Sequence, residues 1–418
     1  MAIDKTITGA EAVIKALVEN GVEVIFGYPG GAVLPLYDAI FDNKKIKHIL
    51  VRHEQAAVHA AEGYARSTGK VGCVLVTSGP GATNAITGLT DALMDSIPII
   101  CLSGQVPTHL IGTDAFQEAD TTGISRPCTK HNYLVKNADN LCGIIHESFD
   151  IASTGRPGPV LIDLPKDIQL TKIKYNEKIN RIKNKSNNNY SKIDMKIITK
   201  VVDLLVNAQK PIIYAGGGVI NAGPKTSTLL TELVDLLNSP VTLTLMGLGS
   251  VSNDNKNFLG MLGMHGTYEA NLAMHNCDVM LNVGARFDDR VTGRLNAFAP
   301  NSKKIHIDID KSSINKVVSV DFGIVGDCKE VLTILVQEIK KLHNQKNLKS
   351  KTDWWTQIKE WKKKDSLGFK QIGKNIKPQQ AIKSLYNKTK SFDTYITTEV
   401  GQHQMWAAQY FGFSKPNH

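Results

Sequence analysis

Two groups of residues in this sequence could do chemistry. The first centres on Glu54. It follows an apolar run, His48–Val51, that predicts a strand, and it stands at the opening turn of a predicted helix. In open α/β sheets the carboxyl ends of the strands face the ligand crevice, so a carboxylate there can hold or move a proton. Position alone favours a plainer role, an acid resting on the positive end of a helix dipole. The turns Tyr28-Pro29-Gly30-Gly31-Ala32 and Ser78-Gly79-Pro80-Gly81-Ala82 share this strand-to-helix placement. Such turns let a ligand approach backbone N–H groups, but tight strand–helix packing explains them equally well. Neither ends in GK[ST], so neither is a Walker loop.

The second group lies further along. Gly284-Ala285-Arg286 follows a predicted strand, and FDDR adds Asp288, Asp289 and Arg290. Asp308 and Asp310 end the predicted strand KKIHIDID. Acids at a strand end can hold ribose hydroxyls and an arginine can hold a pyrophosphate, which suggests a dinucleotide. A structural ion network is the competing reading. Gly216-Gly217-Gly218 also follows a strand, but AGGGVINAG does not fit G-x-G-x-x-G, so the standard dinucleotide fingerprint is not supported.

Elements must position these residues, and the sequence supplies them as α/β blocks. Thr8 can cap a helix with Glu11 three residues on, and Gly21 ends it. VEVIFG, IKHILV, VGCVLV, PIICLSG and PVLIDLP predict strands, each of the first four followed by a helical pattern, as in a parallel sheet. Residues 170–195 turn rich in Lys and Asn and read as a surface linker. A second block, about 196–342, offers PIIYAG, PVTLTL, CDVMLNVG, KKIHIDI and FGIVG as strands. The Lys- and Trp-rich stretch KKLHNQKNLKSKTDWWTQIKEWKKK reads as an exposed amphipathic connection. From Pro378 come a helix (PQQAIKSLYNKT), a strand (TYITTEVG) and a helix start (QHQMWAAQYFG). This last block is too short to enclose a parallel-sheet domain.

Composition narrows the class. With 418 residues the chain should form two or three domains. Its 42% hydrophobic and 21% charged content is that of an ordinary globular protein. The net charge of +10 comes mostly from Lys in the two segments above, not from Arg interleaved with aromatics, so a nucleic-acid role is not expected. Cys73, Cys101, Cys128, Cys142, Cys277 and Cys328 form no CxxC pair, which argues against a metal cluster and suits a reducing, cytoplasmic setting. Neither a signal-peptide h-region nor a membrane-length apolar run occurs.

Taken in order, FGYPGGAVLPLYDA, RHEQAAVHAAEGYAR, TSGPGATN, GQVPTHLIGTDAFQE, GRPGPVLIDLPKDIQ, LGMHGTYEAN, GARFDDRVTG, IDIDKSSINK and TEVGQHQMWAAQ resemble the large subunits of the acetolactate synthase family over essentially the whole chain. The resemblance implies the thiamine-diphosphate-enzyme fold of successive parallel-sheet α/β domains. These would be a pyrimidine-binding domain over 1–168, an FAD-binding domain over 190–345 and the start of a diphosphate-binding domain over 370–418. It implies a transferase using thiamine diphosphate, Mg²⁺ and FAD. Pyruvate would be decarboxylated and joined to a second 2-keto acid, giving 2-acetolactate or, from 2-ketobutyrate, 2-aceto-2-hydroxybutyrate. That is the first common step of branched-chain amino-acid synthesis. Family members form homodimers with the site between chains, and associate with a small regulatory subunit. Another thiamine-diphosphate enzyme, such as a pyruvate oxidase, and a non-catalytic remnant are the alternatives.

Site residues carry over position by position. Glu54 matches the glutamate that hydrogen-bonds the cofactor's aminopyrimidine ring. Gln117, Phe116 and Gly27 match residues lining the reaction space. Ala32, Pro107, Ala115 and Lys166 match the mouth of the substrate channel, where the family's herbicides bind. Arg156, Met264, His265, Gly266, Thr267, Gly284, Arg286, Asp308 and Asp327 match the FAD site, and Val400, Gly401, Gln402 and His403 the first contact strip for thiamine diphosphate. The family's Gly-Asp-Gly motif, which holds Mg²⁺, does not occur in these 418 residues. The metal ligands are therefore expected beyond residue 418, the third domain is expected to be incomplete, and the chain alone is expected to be inactive.

Overall fold

The computed structural model describes residues 5–175, 193–343 and 350–418. The chain divides into two compact units, Met1–Asn188 and Asn189–His418. The greater part of the expected linker, 176–192, lies outside the described residues, as do 344–349 of the Lys- and Trp-rich stretch and the expected domain limits at 190 and 345.

The first unit is built on six parallel strands. They are β2 (Val24–Gly27), β3 (Lys47–Leu50), β4 (Gly72–Val76), β5 (Ile99–Gln105), β6 (His131–Leu134) and β7 (Pro159–Pro165), in the order β3-β2-β4-β5-β7-β6. Residues of β4, β5 and β7 are buried throughout. Helices cover both faces, which is why these strands read as unbroken apolar runs. A short antiparallel pair, β1 (Lys5–Thr8) with β8 (Lys172–Tyr175), closes the unit. The capping box at Thr8 forms as expected: Thr8 Oγ1 accepts from Glu11 N at 3.2 Å, and Thr8 N donates to Glu11 Oε2 at 2.7 Å.

The helix Glu54–Thr68 presents Ala57, Val58, Ala61 and Ala65 to Ala85, Leu89 and Ala92 of the helix Pro80–Asp95. Small side chains let the two helices approach closely. A Cβ at Gly88 would stand 2.5 Å from Val58 Cβ. Any larger residue there would push the helices apart and move everything carried on their first turns.

The second unit contains β9 (Pro211–Ala215), β10 (Val241–Leu243), β11 (Phe258–Met261), β12 (Val279–Val283), β13 (Lys303–Asp308) and β14 (Phe322–Val325). All are parallel, in the order β11-β10-β9-β12-β13-β14. Counted from β9 as the first strand, this is the 3-2-1-4-5-6 order of dinucleotide-binding sheets, whose ligand crevice opens where the order reverses, here between β9 and β12.

Several sequence expectations are corrected. The Lys- and Trp-rich stretch is not an exposed connection. Its first residues, 340–343, end the helix Cys328–His343, and after residue 350 it forms the helix Thr352–Lys362, with Trp354 and Ile358 buried against Ile212, Tyr214 and Met280. Trp354 Nε1 donates to Pro211 O at 3.1 Å. Trp354, Ile358 and Trp361 recur at helical spacing, so one face docks while Lys359, Lys363 and Lys364 stay in water. The start of the linker is strand β8, with Ile173 and Tyr175 buried. TYITTEVG is not a strand, because no ladder partner lies beside it among the described residues. QVPTHLIG forms only the single 3₁₀ turn Thr108–Leu110. Strands β1, β6, β8 and β11 were not expected. All six cysteines are free. Among the described residues no helix is long and apolar enough to cross a membrane.

One buried acid gives the fold a pH dependence. Glu62, two turns beyond Glu54, is 5% exposed. Burial first, and the nearby Asp91 carboxylate second, push it up to about 8 from 4.5. The folded state thus favours the protonated form, and stability is lost as pH rises from the ordinary Glu range through the raised value. Glu62→Gln should raise the melting temperature by about 2 °C or more at pH 8, with a gap that narrows toward pH 5. A gap that is constant or widens toward acid would contradict this assignment.

Candidate functional site

In the first unit the carboxyl ends of the strands gather the candidate residues on one edge. Gly27 ends β2 and Ala32 lies in the turn after it. Glu54 follows β3, Ser78–Ala82 follow β4, Pro107 and Ala115–Gln117 follow β5, and Lys166 follows β7. Glu54 is 7% exposed, so it is no solvated dipole partner at a helix end. Its Oε2 accepts from Asn84 Nδ2 at 3.0 Å, and among the described residues Oε1 makes no protein hydrogen bond. Asn84 sits one turn before Gly88, so the close helix packing sets this contact. An acid with one oxygen fixed and the other unspent suits a carboxyl that must hydrogen-bond a ring nitrogen.

The glycine turns are explained largely by packing. A Cβ on Gly30 or Gly81 would meet the Thr77 side chain at 2.5 and 2.8 Å, and one on Gly27 would meet Leu75 O at 2.5 Å and Tyr37 Oη at 2.9 Å. Gly79 lies against the backbone of Gln117, which itself holds a left-handed φ of 58°. Non-glycine residues are held in that region only when their surroundings over-determine it. The Gln117 backbone is thus fixed while its side chain remains exposed, as does Phe116 at 88%. Pro107 and Lys166 come together through their neighbours. Asp167 accepts from Thr108 N at 3.0 Å and from Thr108 Oγ1 at 2.5 Å. Ala32 joins them, since Gln169 Nε2 donates to Ala32 O at 2.8 Å.

Arg156 does not belong to this edge. It precedes β7, at the amino end of the sheet, and its guanidinium donates to Ser96 Oγ at 2.8 Å and to the carbonyls of Leu93 and Met94 at 3.3 Å. There it serves the carboxyl end of the helix Pro80–Asp95.

The second unit repeats the pattern. Met264–Thr267 follow β11, Gly284 and Arg286 follow β12, Asp308 ends β13 and Asp327 follows β14. These residues stand along the carboxyl edge of a sheet with dinucleotide-binding order, so their placement fits FAD. The turn after β12 is rigid. Asn282 satisfies both Ala285 N (3.1 Å) and Ala285 O (2.8 Å), His306 Nε2 lies 3.0 Å from the same oxygen, and Gly284 takes φ 60° with Gly218 Cα 2.8 Å from where a Cβ would stand. That frame presents Arg286, half-exposed and paired with Asp288 at 2.6 Å. Met264 is 64% exposed, and His265 and Thr267 line a cavity of about 350 Å³ with Lys383 and Tyr386.

Other candidates are locally engaged. Thr267 caps the helix Tyr268–Asn276 and donates to Leu259 O at 2.6 Å. Asp327 Oδ1 accepts from Lys329 N at 2.7 Å, and Asp308 Oδ1 from Asp310 N at 2.8 Å. Asp327 stands just before the helix Cys328–His343, where its bond from Lys329 N engages one oxygen in the first turn. Val400 (78% exposed), Gly401, Gln402 and His403 lie at the start of the helix Gln402–Tyr410. Sequence reasoning did not single out Asn84, Asp167 or Gln169, although the first ends the motif TSGPGATN.

Residues 7–124 match the family model described as thiamine pyrophosphate enzyme, N-terminal TPP binding domain, and residues 198–335 match that of the thiamine pyrophosphate enzyme, central domain. The chain is 51% identical over 411 residues to the acetolactate synthase large subunit of Buchnera aphidicola subsp. Acyrthosiphon pisum, covering 98% of this chain and 71% of that protein. It is 52% identical over 418 residues to the acetolactate synthase large subunit of Haemophilus influenzae, covering 99% and 72%. To the acetolactate synthase isozyme 3 large subunit of Escherichia coli K12 it is 50% identical over 414 residues, covering 98% and 71%.

A pyrophosphate beside the rigid turn would be met by Arg286. Arg286→Ala should therefore weaken flavin retention by about 1.5–3 kcal/mol, the scale of a charge-assisted hydrogen bond. Flavin held through gel filtration as tightly as in the wild type would remove Arg286 from that role.

Proposed function

The chain belongs to the acetolactate synthase large-subunit family, and on that premise we propose that Glu54 is its catalytic carboxyl. The reaction decarboxylates pyruvate and joins the remaining two-carbon unit to a second 2-keto acid. Thiamine diphosphate, when bound with Mg²⁺, supplies the electron sink for this decarboxylation. The single observation that carries the assignment is the state of Glu54. It is a buried carboxyl at the carboxyl edge of a parallel sheet, with Oε2 held by Asn84 and Oε1 left for a ligand.

The chain's own groups then divide the work. Glu54 holds a proton against the aminopyrimidine ring, which Gln could not supply and the shorter Asp could not reach. Gly27, Phe116 and Gln117 border the space where the keto acid reacts. Ala32, Pro107, Ala115 and Lys166 border the path to it, with Asp167 and Gln169 tying their segments together. Residues 1–168 serve as the pyrimidine-binding domain. Residues 190–345 hold FAD through Met264–Thr267, Gly284, Arg286, Asp308 and Asp327. Residues 370–418 bring Val400–His403 to the diphosphate. The protein works in the cytoplasm as a homodimer with a small regulatory subunit, in keeping with relatives named as large subunits.

In the assembled enzyme Glu54→Gln should slow acetolactate formation by about 10²-fold or more, the scale of a lost acid–base group. Flavin content should stay normal, because the residues proposed to hold it belong to the second unit. Wild-type turnover in the purified variant would end the assignment.

A further inference from the structure

The segment between β5 and the helix Thr121–Ser125 carries Pro107, Ala115, Phe116 and Gln117, yet contains only one short 3₁₀ turn. Both of its ends are tied by the side-chain amide of Gln105. Gln105 Oε1 accepts from Val106 N at 2.9 Å, and Gln105 Nε2 donates to Ala119 O at 2.9 Å. The second Nε2 hydrogen goes to Asp163 Oδ2, also at 2.9 Å. Gln105 ends β5 and Asp163 lies in the neighbouring β7, where its Cα pairs with that of Ser103. Gln105 is 2% exposed and Asp163 1%.

In its ionised form Asp163 can only accept, so it admits the N–H end of the Gln105 amide, the same sense that Val106 N and Ala119 O require. That choice forces Oε1 toward Val106 and the second N–H toward Ala119. Were the amide reversed, its N–H groups would face the Val106 donor and its oxygen would face two acceptors. The arrangement is costly, because Asp163 is a carboxyl taken out of water in mid-sheet, with only the Gln105 amide and the Ser103 hydroxyl beside it to offset that loss. Burial pushes this acid up to about 7. An apolar residue would fill the same place in the sheet at lower cost, which argues that the carboxylate is kept for what it orients.

We propose that Asp163 and Gln105 are positioning residues for the reaction, a carboxylate–amide pair that holds both ends of segment 106–119 and so sets the substrate-facing residues it carries. The link to substrate rests on the proposed acetolactate synthase reading; the hold on the segment does not.

Asp163→Asn keeps the shape but replaces the obligate acceptor with an amide, whose own N–H end can face Gln105 Nε2 and break that hydrogen bond. Hydrogen exchange of the backbone amides in 106–119, Val106 above all, should speed up about tenfold, the scale of one lost hydrogen bond. Exchange elsewhere in the first unit should be unchanged. In the assembled enzyme KM for pyruvate should rise several-fold while kcat falls less. Gln105→Met, which removes all three hydrogen bonds at similar volume, should show the same pattern more strongly and carries both readouts if Asp163→Asn does not fold. Unchanged exchange in 106–119 would overturn the proposal. So would a loosened segment with an unchanged ratio of KM to kcat. An assembled wild-type enzyme that makes no acetolactate would overturn the functional reading, and the exchange result would still decide the role of the pair.

Discussion

The contact between the helices Glu54–Thr68 and Pro80–Asp95 is the constraint on which the candidate site depends. Alanines and Gly88 let the helices touch closely, with no room for a Cβ between Gly88 and Val58. This spacing puts Asn84 within 3.0 Å of Glu54. It also buries the carboxyl while leaving one oxygen unspent. A buried acid is tolerated only where its surroundings repay its lost hydration, and here one amide does part of that. A looser helix pair would leave Glu54 an ordinary surface acid on a helix dipole.

Both units use the same geometry for different ligands. Each sheet is parallel, each strand hands its chain to a turn at the carboxyl edge, and candidate residues collect there. In the first unit the edge is furnished with an acid, the segment 106–119 and a fixed left-handed Gln117. In the second it is furnished with a rigid turn bearing Arg286. The strand order of the second sheet makes a dinucleotide site physically reasonable although the usual glycine fingerprint is missing. Asn282 and His306 hold the turn that a glycine-rich loop would otherwise shape.

Much of this was legible in the sequence, and the reasons for the rest are specific. The central strands β4, β5, β7, β9 and β12 announced themselves as apolar runs bounded by turn residues. The Thr8 capping box was readable because both partners lie within one turn. Strands β1, β6 and β8 are short and partly polar, and exist through pairing with chain far away in sequence. The helix Thr352–Lys362 reads as an exposed connection because the stretch that contains it, 340–364, has nine lysines against six apolar residues. Its burial depends on Trp354, Ile358 and Trp361 sharing a face that finds a surface to dock on. TYITTEVG has strand composition, but among the described residues it meets only the single backbone bond from Ile396 N to His418 O and forms no ladder. At the site, the placement of Glu54 alone favours a helix-dipole acid and its catalytic role rests on the family resemblance, whereas Asn84, Asp167 and Gln169 act across 30, 59 and 137 residues of sequence, a relation that only the fold reveals.

The hydrogen bond from Asn84 holds Glu54 in one orientation, and the proposed action of Glu54 on thiamine diphosphate depends on it. The most direct measurement is the rate at which the assembled enzyme, in D₂O, exchanges the thiazolium C2 proton of its bound cofactor, compared between wild type and Asn84→Ala. The account predicts exchange slowed about tenfold or more in the variant, with flavin content unchanged. Equal exchange rates in the two proteins would contradict it.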